Sequence, residues 1–561
     1  MNKSCLKAYR SWLEDQKLDE DLKQELLTLN EAEIEDAFYR YLDFGTAGIR
    51  GLIGPGTNRM NRYTVRRTTE GLARVLLRQK DVNKKKGVVI AWDSRRKSPD
   101  FAAEAAGVLA RNGIRVHLFP SLRPTPILSF AVRYLKAAAG IMITASHNPA
   151  PYNGLKIYGE DGAQMPPAKV SRIKKEIEDI ENERALPVWS INRGREAGLI
   201  RLLQDDVDQA FTKNVLNLSL RGKRESNAEL SVVFTPLHGT GNRPVRRILD
   251  ALGFSRLHVV PEQEQPDPDF PTVSVPNPEE PESFTLALQQ ARKLDADLVI
   301  GTDPDTDRLG MLAKNTSGDY TWFDGNQIGA LLLYYLLSEL KGRGQLPPDG
   351  VMIQSLVSSG LSRAIAQSFG VNSDEMPTGF KYIAEKIEEY EVGNHHTFLF
   401  GYEESHGYLL GSFVRDKDAI QAAIMCCELA AHYREKGVTL DEVLHQIHET
   451  YGWYREAIIS HTFEGKSGPQ RVSSIMDAFR NRPLKSIGGV AVREIKDYTM
   501  GVDGFPSINM IKYFLDDGGW IALRPSGTEP KIKFYFGVAA DSDQASRSRL
   551  EKMKQEIQRA L

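Results

Sequence analysis

Residues 137–149 read AAAGIMITASHNP, an apolar run that ends in a cluster of small polar side chains. The run from Ala137 to Ile143 predicts a buried strand because it is short, continuous and free of charge. Pro149 has no N–H and disfavours helical backbone at the residue before it, so the chain turns here. We therefore expect the Ser146 hydroxyl at the carboxyl end of a strand, where open α/β sheets bind their ligands.

The next residue after Ser146 is His147. A serine beside a histidine supplies a nucleophile and a proton acceptor. The same pair also fits a polar turn without any chemistry, and this stretch alone favours the turn. The choice therefore depends on the rest of the chain.

Length and composition indicate a multidomain globular protein. A chain of 561 residues exceeds what one hydrophobic core organises, so three or four domains are expected. The net charge is −2, and the short run Lys84–Lys86 predicts only a solvated loop, which argues against nucleic acid as the main partner. No window approaches 18 uncharged apolar residues, so we expect no membrane span.

The cysteines indicate a reducing compartment. There are only three, and Cys426 and Cys427 lie in an apolar helical pattern that favours core packing over a metal site or a redox pair. The N-terminus has no apolar signal core and is charged and helical in pattern. Together these features predict a cytoplasmic protein.

Strand and helix patterns alternate along most of the chain, which predicts parallel strands with helical connections. Beyond Tyr454 the pattern changes, and we expect a smaller α+β domain there. The polar stretches at 200–206, 317–324 and 445–454 suggest the boundaries. The predicted divisions are a helical extension at 1–43, α/β domains at 44–205, 206–324 and 325–450, and a C-terminal domain at 451–561.

A glycine-spaced segment, FGTAGIRG at residues 44–51, follows the helical extension. Its glycines permit a close approach of the backbone to a ligand, and Arg50 offers a planar set of donors to a phosphate. On its own, the segment fits a glycine-rich turn with a surface arginine equally well or better.

Three aspartates at alternate positions follow another strand pattern, in GTDPDTDR at residues 301–308. Three like charges so close repel one another unless a cation neutralises them. Their hard oxygen ligands suit Mg²⁺. The glycine and closing glutamate of a helix–loop–helix calcium site are missing at the required offsets. An aspartyl-phosphate enzyme, with one aspartate as nucleophile, is a second alternative.

The segment FGYEESHG, residues 400–407, again follows a strand pattern. Glu403 and Ser405 are two residues apart, so they point the same way in an extended backbone. A carboxylate beside a hydroxyl can bind vicinal sugar hydroxyls.

A fourth polar loop, RPSGTEP at residues 524–530, lies near the end of the chain, with Lys531 beside it. Its arginine, hydroxyls and backbone amides predict a phosphate-binding nest. Any one of the four loops fits turn chemistry, but four in this order do not.

Together the four loops resemble the α-D-phosphohexomutase superfamily, over nearly the whole chain beyond the first forty residues. Within it, residues 44–51, 235–241 and 415–418 are similar to the bacterial phosphoglucomutase group. The resemblance implies an α/β fold with three similar mixed α/β domains and a smaller C-terminal α+β domain around a central cleft.

The resemblance also implies roles for individual residues. Ser146 would be the phosphoserine, and Mg²⁺ would be held by one oxygen of its phosphate and by the three aspartates, Asp303, Asp305 and Asp307. The groups around the transferring phosphate would be Arg50, His147, Lys156 and Arg308. The substrate-binding residues would be Thr378 and Gly379 at the ring, Glu403 and Ser405 at its hydroxyls, and Arg524, Ser526, Gly527 and Thr528 at the phosphate that does not react.

The resemblance leaves three candidates for the general base. Lys417 is the candidate on the sugar side. Some phosphomannomutase-type members carry a histidine two residues beyond the binding-loop serine, where this chain has Gly407, and His406 sits one residue earlier. Lys417, His406 and His147 therefore all remain candidates.

The implied activity is interconversion of glucose 1-phosphate and glucose 6-phosphate, with glucose 1,6-bisphosphate as intermediate and activator. The implied partners are sugar phosphates, and the implied state is a monomer or weak dimer. A mutase of the same family acting on mannose or pentose phosphates is an alternative. A Mg²⁺-dependent aspartyl phosphatase using Asp303 and a non-catalytic sugar-phosphate sensor belong to other classes.

Overall fold

A computed structural model describes residues 2–45, 48–78, 82–463, 468–502, 504–526 and 531–560, with the side chains of 82, 83 and 560 left undescribed. The chain forms two compact units. The first contains Met1–Leu309 and Gly411–Ile424, and the second contains Gly310–Leu410 and Met425–Leu561.

The first unit begins with three short helices, α1 (Lys3–Leu13), α2 (Glu20–Thr28) and α3 (Glu31–Phe38). Asn30 and Glu33 form a capping box that fixes the start of α3. The three helices enclose an aromatic core in which Trp12 packs edge-on against both Phe38 and Tyr63. Aromatic burial therefore holds this charged segment on the rest of the unit.

A six-stranded sheet follows, in the order β1-β5-β4-β2-β3-β6. Its strands are β1 (Gly48–Leu52), β2 (Val88–Trp92), β3 (Val116–Leu118), β4 (Ala139–Ile143), β5 (Tyr152–Gly159) and β6 (Ile200–Leu202). Strands β2, β3, β4 and β6 run parallel, and β5 is antiparallel to both β4 and β1. All five residues of β4 are buried, as the apolar run predicts.

Helices accompany this sheet throughout. They are α4 (Arg62–Arg78), α5 (Val82–Lys86), α6 (Ser98–Arg111), α7 (Thr125–Tyr134), α8 (Pro167–Glu178) and α9 (Ile191–Glu196). The prediction of a loop at Lys84–Lys86 is wrong, because these residues end helix α5. Lysine is a good helix former, so a solvated charge run can form a short helix as readily as a loop.

The first unit also contains three parallel strands, with β7 (Val232–Thr235) between β8 (Leu257–Val259) and β9 (Leu298–Thr302). The accompanying helices are α10 (Asp206–Leu216), α11 (Asn242–Ala251), α12 (Pro261–Glu264) and α13 (Thr285–Leu294). Every residue of β9 is buried. Strands β4 and β9 therefore both run through apolar cores to the start of the polar loops that follow them.

In the second unit, β10 (Leu309–Lys314) pairs with β11 (Tyr320–Phe323), and a four-stranded sheet has the order β13-β12-β14-β15. The strands of that sheet are β12 (Gly350–Ser355), β13 (Asn372–Met376), β14 (Thr397–Glu403) and β15 (Gly407–Leu409). The helices are α14 (Gly325–Gly342), α15 (Gly360–Ser368), α16 (Phe380–Gly393) and α18 (Leu440–Tyr451), while α17 (Ala419–Glu435) begins in the first unit and ends in the second.

The C-terminal part of the second unit is a six-stranded antiparallel sheet in the order β16-β21-β20-β19-β18-β17. Its elements are β16 (Trp453–Thr462), α19 (Gly468–Asn481), β17 (Ser486–Ile487), β18 (Val490–Asp497), β19 (Ile511–Leu515), β20 (Trp520–Pro525), β21 (Lys531–Ala540) and α20 (Asp543–Ala560). Within the described ranges, no helix combines the length and apolar character needed to cross a bilayer.

Candidate active site

The chain leaves β4 and reaches Ser146 in a left-handed conformation, with φ at +52°. Its side chain is almost completely buried. The Ser146 N–H donates to Thr144 Oγ1 at 2.7 Å, and the Ser146 hydroxyl donates to Asp303 Oδ2 at 2.7 Å. His147 Nδ1 lies 3.3 Å from the same hydroxyl. The turn thus aims the serine at a carboxylate from a distant part of the sequence.

The acidic loop after β9 brings three carboxylates together. One ligand atom from each of Asp303, Asp305 and Asp307 lies within 4.8 Å of the others, and all three side chains are buried. Asp303 Oδ1 accepts the backbone N–H groups of Asp307 and Arg308, each at 3.0 Å. These bonds fold the loop back on its first aspartate, so that the acids converge.

Burial and mutual repulsion act on the titration of the three acids. Burial and the two neighbouring carboxylates raise the pKa of Asp303 well above its usual value. Burial also acts to raise the pKa of Asp305, but Lys156 outweighs it with the help of hydrogen bonds, so this pKa is lowered. The buried cluster therefore carries more negative charge than the neighbouring protein groups neutralise.

The residues present fit a divalent cation. Asp305 Oδ1 is buried and accepts no hydrogen bond from any residue in the described ranges. A buried carboxylate oxygen without a partner is costly unless a ligand completes its environment. Three carboxylates form the hard oxygen set that Mg²⁺ prefers, and Asp303, Asp305 and Asp307 would hold it.

Two lysines offset part of the negative charge. Lys156, on β5, places Nζ 2.7 Å from Asp305 Oδ2 and 3.3 Å from Asp307 Oδ2. Lys417 Nζ lies 3.2 Å from Asp307 Oδ2 and 3.3 Å from Asp416 Oδ1. Both lysines thus lie against the triad whose Asp303 accepts the Ser146 hydroxyl.

Arginines from two other segments approach the same loops. Arg50, on β1, donates to Asn148 Oδ1 at 2.7 Å. Arg308 closes the acidic loop, and its side chain is ion-paired with Glu279. Arg50 therefore lies against the loop of Ser146 and Lys156 against the triad, while Glu279 pairs with the Arg308 side chain; all of the residues predicted around the transferring group belong to the first unit.

Two contributors escaped the sequence analysis. Thr125, at the start of α7, donates from its hydroxyl to Asp305 Oδ2 at 2.8 Å. Asp416 accepts from the Tyr158 hydroxyl and from Gln164 Nε2, both at 2.8 Å, besides its contact with Lys417. A Pro-Thr-Pro sequence after strand β3 was the available signal for Thr125, and a charged run at 415–418 was the signal for Asp416.

A second polar cluster lies in the second unit, where Glu403 ends β14. Glu403 Oε1 accepts the Gly379 N–H at 2.6 Å, and Gly379 has a φ of +122° that favours glycine. The buried Thr378 hydroxyl has no hydrogen-bond partner in the described part of the chain. Ser405 is half-buried beyond Glu403, and His406 next to it is buried with a φ of +62°.

Arg524 lies at the end of β20, in the same unit. Burial, then the charge of Arg524, lowers the pKa of Lys381 to about 8. Lys381, which is nearly buried, was not predicted from the sequence as a site residue. The Ser526 N–H donates to the Lys531 carbonyl at 2.7 Å, whereas Gly527 and Thr528 lie outside the described residues. The effect of the Arg524 charge on Lys381 indicates a positive region, which favours an anionic ligand.

Comparison with protein families identifies the class. Four family models match in order, described as phosphoglucomutase/phosphomannomutase alpha/beta/alpha domains I, II and III and the C-terminal domain, at residues 42–184, 209–318, 324–451 and 466–554. The chain belongs to the phosphoglucomutase/phosphomannomutase family. Its fold class is the predicted one, with three similar α/β domains and a C-terminal domain, while the predicted residue boundaries stay predictions.

Known proteins are similar along most of their length. A phosphoglucomutase of Staphylococcus epidermidis is 40% identical over 536 residues, which cover 93% of this chain and 96% of that protein. The Paramecium phosphoglucomutase parafusin has a similar fold, with 20% identity, 92% and 93% coverage and a TM-score of 0.69. An N-acetylphosphoglucosamine mutase of Aspergillus fumigatus, in complex with GlcNAc-6P and magnesium, has 13% identity, complete coverage of both chains and a TM-score of 0.51.

Proposed function

We propose that the chain is an enzyme of the isomerase class, a phosphoglucomutase that interconverts glucose 1-phosphate and glucose 6-phosphate. The observation that carries the proposal is the 2.7 Å hydrogen bond from the Ser146 hydroxyl to Asp303 within a buried aspartate triad. The 40% identity to a phosphoglucomutase supports glucose as the sugar.

The proposed reaction moves one phosphoryl group at a time. The bond between phosphorus and Ser146 Oγ breaks while a bond forms to the free hydroxyl of the sugar monophosphate, which yields glucose 1,6-bisphosphate. The bisphosphate turns around, and Ser146 takes the other phosphate. In such transfers the protein acts by positioning and by neutralising charge.

The residues of the first unit divide these tasks. Ser146 carries the phosphoryl group, and Arg50, His147 and Lys156 bind its oxygens. Lys417, whose Nζ lies 3.2 Å from Asp307 Oδ2, is the proton-transfer group on the sugar side, and it accepts the proton of the attacking hydroxyl once it has passed its own proton to a neighbouring carboxylate. When bound by the three aspartates, Mg²⁺ stabilises the charge that develops on the serine oxygen.

The residues of the second unit recognise the sugar. Glu403 and Ser405 bind hydroxyls that remain in place after the turn, and Thr378 and Gly379 contact the ring. Arg524 and Ser526, with Gly527 and Thr528, hold the phosphate that is not reacting. Recognition of features shared by both orientations is what a turning intermediate requires.

The proposal also covers the activator, the metal, the oligomeric state and the cellular compartment of the enzyme. Glucose 1,6-bisphosphate would activate the enzyme by phosphorylating Ser146, and Mg²⁺ would be the metal. We further propose a monomer or weak dimer working in the cytoplasm. Three free, buried cysteines agree with a reducing compartment.

The test is a substrate panel on wild type and Ser146→Ala, with intact mass before and after incubation with glucose 1,6-bisphosphate. We expect wild type to gain one phosphate and to favour glucose 1-phosphate over mannose 1-phosphate and ribose 1-phosphate. The variant should neither gain phosphate nor turn over. Full activity in Ser146→Ala, or release of inorganic phosphate as the main product, would refute the proposal.

A further inference from the structure

Arg95 lies directly behind the loop that carries Ser146. It follows β2, and its side chain is completely buried, as is that of Asp93. Arg95 Nε lies 3.4 Å from Asp93 Oδ2, and Asp93 Oδ1 accepts the Arg95 N–H at 3.0 Å and the Ser98 hydroxyl at 2.9 Å. The aspartate thus holds the Arg95 backbone by a hydrogen bond and pairs with the guanidinium group by charge.

The rest of the guanidinium group faces backbone carbonyls of one loop. Arg95 Nη1 donates to the carbonyls of Pro149 and Tyr152 at 2.9 and 3.0 Å. Nη2 donates to the carbonyl of Ser146 at 2.5 Å and to that of Asn148. A guanidinium group has five N–H donors in a fixed plane. Four of them therefore bind the segment 146–152, and the fifth faces Asp93.

This loop needs such support because its backbone conformation at Ser146 is unfavourable and its carbonyls have few regular partners. The positive φ of Ser146 is a conformation that residues other than glycine avoid. Residues 144–151 form neither helix nor strand, so their carbonyls have few regular partners. A rigid cation that donates to four carbonyls at once holds the turn in one geometry.

We propose that Arg95 is a positioning residue for phosphoryl transfer, which holds the Ser146 loop in its reactive conformation through these carbonyls. The inference rests on the proposed function and adds to it a residue that touches neither substrate nor metal. A purely structural explanation is weaker, because a buried charge is costly and an apolar side chain would fill the same space. An apolar side chain could not make the four hydrogen bonds to the loop carbonyls.

Lysine is the informative substitution. It keeps the charge but has three donors around a point rather than five in a plane, so it cannot bind four carbonyls and Asp93 together. Arg67→Lys is the matched control. Arg67 is a nearly buried arginine of the same unit that donates to the Ile180 carbonyl at 2.5 Å and pairs with Glu183.

We expect Arg95→Lys to lower kcat about 10- to 100-fold, the cost of a small misplacement of a reacting group. KM should change less than about twofold, because the sugar-binding residues are untouched. In Arg95→Ala, millimolar guanidinium should restore part of the lost kcat and should return the ³¹P resonance of phosphorylated Ser146 towards its wild-type position. Arg67→Lys should keep the wild-type kcat and should not respond to guanidinium.

Melting temperatures and circular dichroism normalise activity to folded protein. Two results would show that Arg95 is only structural and that the inference is wrong. In the first, Arg95→Lys keeps the wild-type kcat. In the second, Arg95→Lys and Arg67→Lys each lose activity only in proportion to their folded fraction. If Arg95→Ala does not fold, Arg95→Lys alone decides the question. A wild-type protein that lacks mutase activity would refute the proposed function, an outcome distinct from an active wild type with an equally active Arg95→Lys.

Discussion

Replacement of Asp305 by asparagine should remove metal binding with little change in shape. Asp305 Oδ2 accepts from Lys156 Nζ and from the Thr125 hydroxyl, whereas Oδ1 has no partner in the described part of the chain. The asparagine oxygen can keep the first two bonds. Its NH₂ group then takes the place of Oδ1 and presents hydrogens where a cation needs a lone pair.

The size of the loss follows from the charges. At an effective dielectric constant of about 20, a divalent cation about 4 Å from a carboxylate gains about 8 kcal/mol, an upper limit before desolvation. If a quarter to a half of that energy remains after desolvation, Asp305→Asn binds Mg²⁺ about 30- to 700-fold more weakly than wild type. Wild type at a Mg²⁺ concentration of about 100 times Kd gains about 2.7 kcal/mol of stability, and Asp305→Asn loses most of it.

Thermal unfolding with and without Mg²⁺ measures this effect. At about 2 °C per kcal/mol for a large domain, Mg²⁺ should raise the Tm of wild type by about 5 °C and that of Asp305→Asn by less than about 2 °C. Isothermal calorimetry gives the Kd directly. Asp208→Asn is the control, since Asp208 is a nearly buried aspartate of the same unit that pairs with Arg123 instead. An unchanged Mg²⁺ shift in Asp305→Asn would show that Asp305 is not a ligand.

Two more expectations concern charge and stability. With the pKa of Lys381 lowered to about 8, its charge is lost as pH rises through that value. The kcat/KM of wild type should therefore fall above pH 8, whereas Lys381→Met should start lower and stay flat in a pH–rate profile. Trp12→Ala should destabilise the N-terminal helices by about 3–5 kcal/mol, because the buried ring packs against Phe38 and Tyr63. Denaturant unfolding and protease sensitivity measure this loss, and kcat should not change.

Much of the candidate site was predictable because its residues follow strands directly. Strand β4 is apolar throughout, and the polar residues come at its end, so Ser146 had to lie at an edge of the sheet. The aspartates alternate within residues 303–307, so their meeting required only one loop. That Ser146 and Asp303 lie 2.7 Å apart was not visible in the spacing, and it entered only through the resemblance to a family.

Residues that act through buried contacts were not predictable. Arg95 reads in sequence as a solvated arginine after a strand, since arginine is rarely buried. Its positioning role depends on hydrogen bonds to carbonyls that lie about fifty residues further along the chain. Lys381 likewise depends on Arg524, which belongs to a different domain of the family. The side chains of strands β16 and β18 are partly exposed and include charged residues, which blurs the alternation typical of strands.

The charges at the site explain why lysines rather than apolar residues surround the triad. Four carboxylates, those of the triad and of Asp416, face only two lysines, Lys156 and Lys417, so the cluster has an excess of acidic groups that repels a phosphate. A divalent cation offsets that excess. The lysines would then be free to turn from the carboxylates to the phosphate oxygens, since the metal satisfies the acids in their place. Metal binding and phosphate binding should therefore reinforce each other at this site, because each removes the charge that opposes the other.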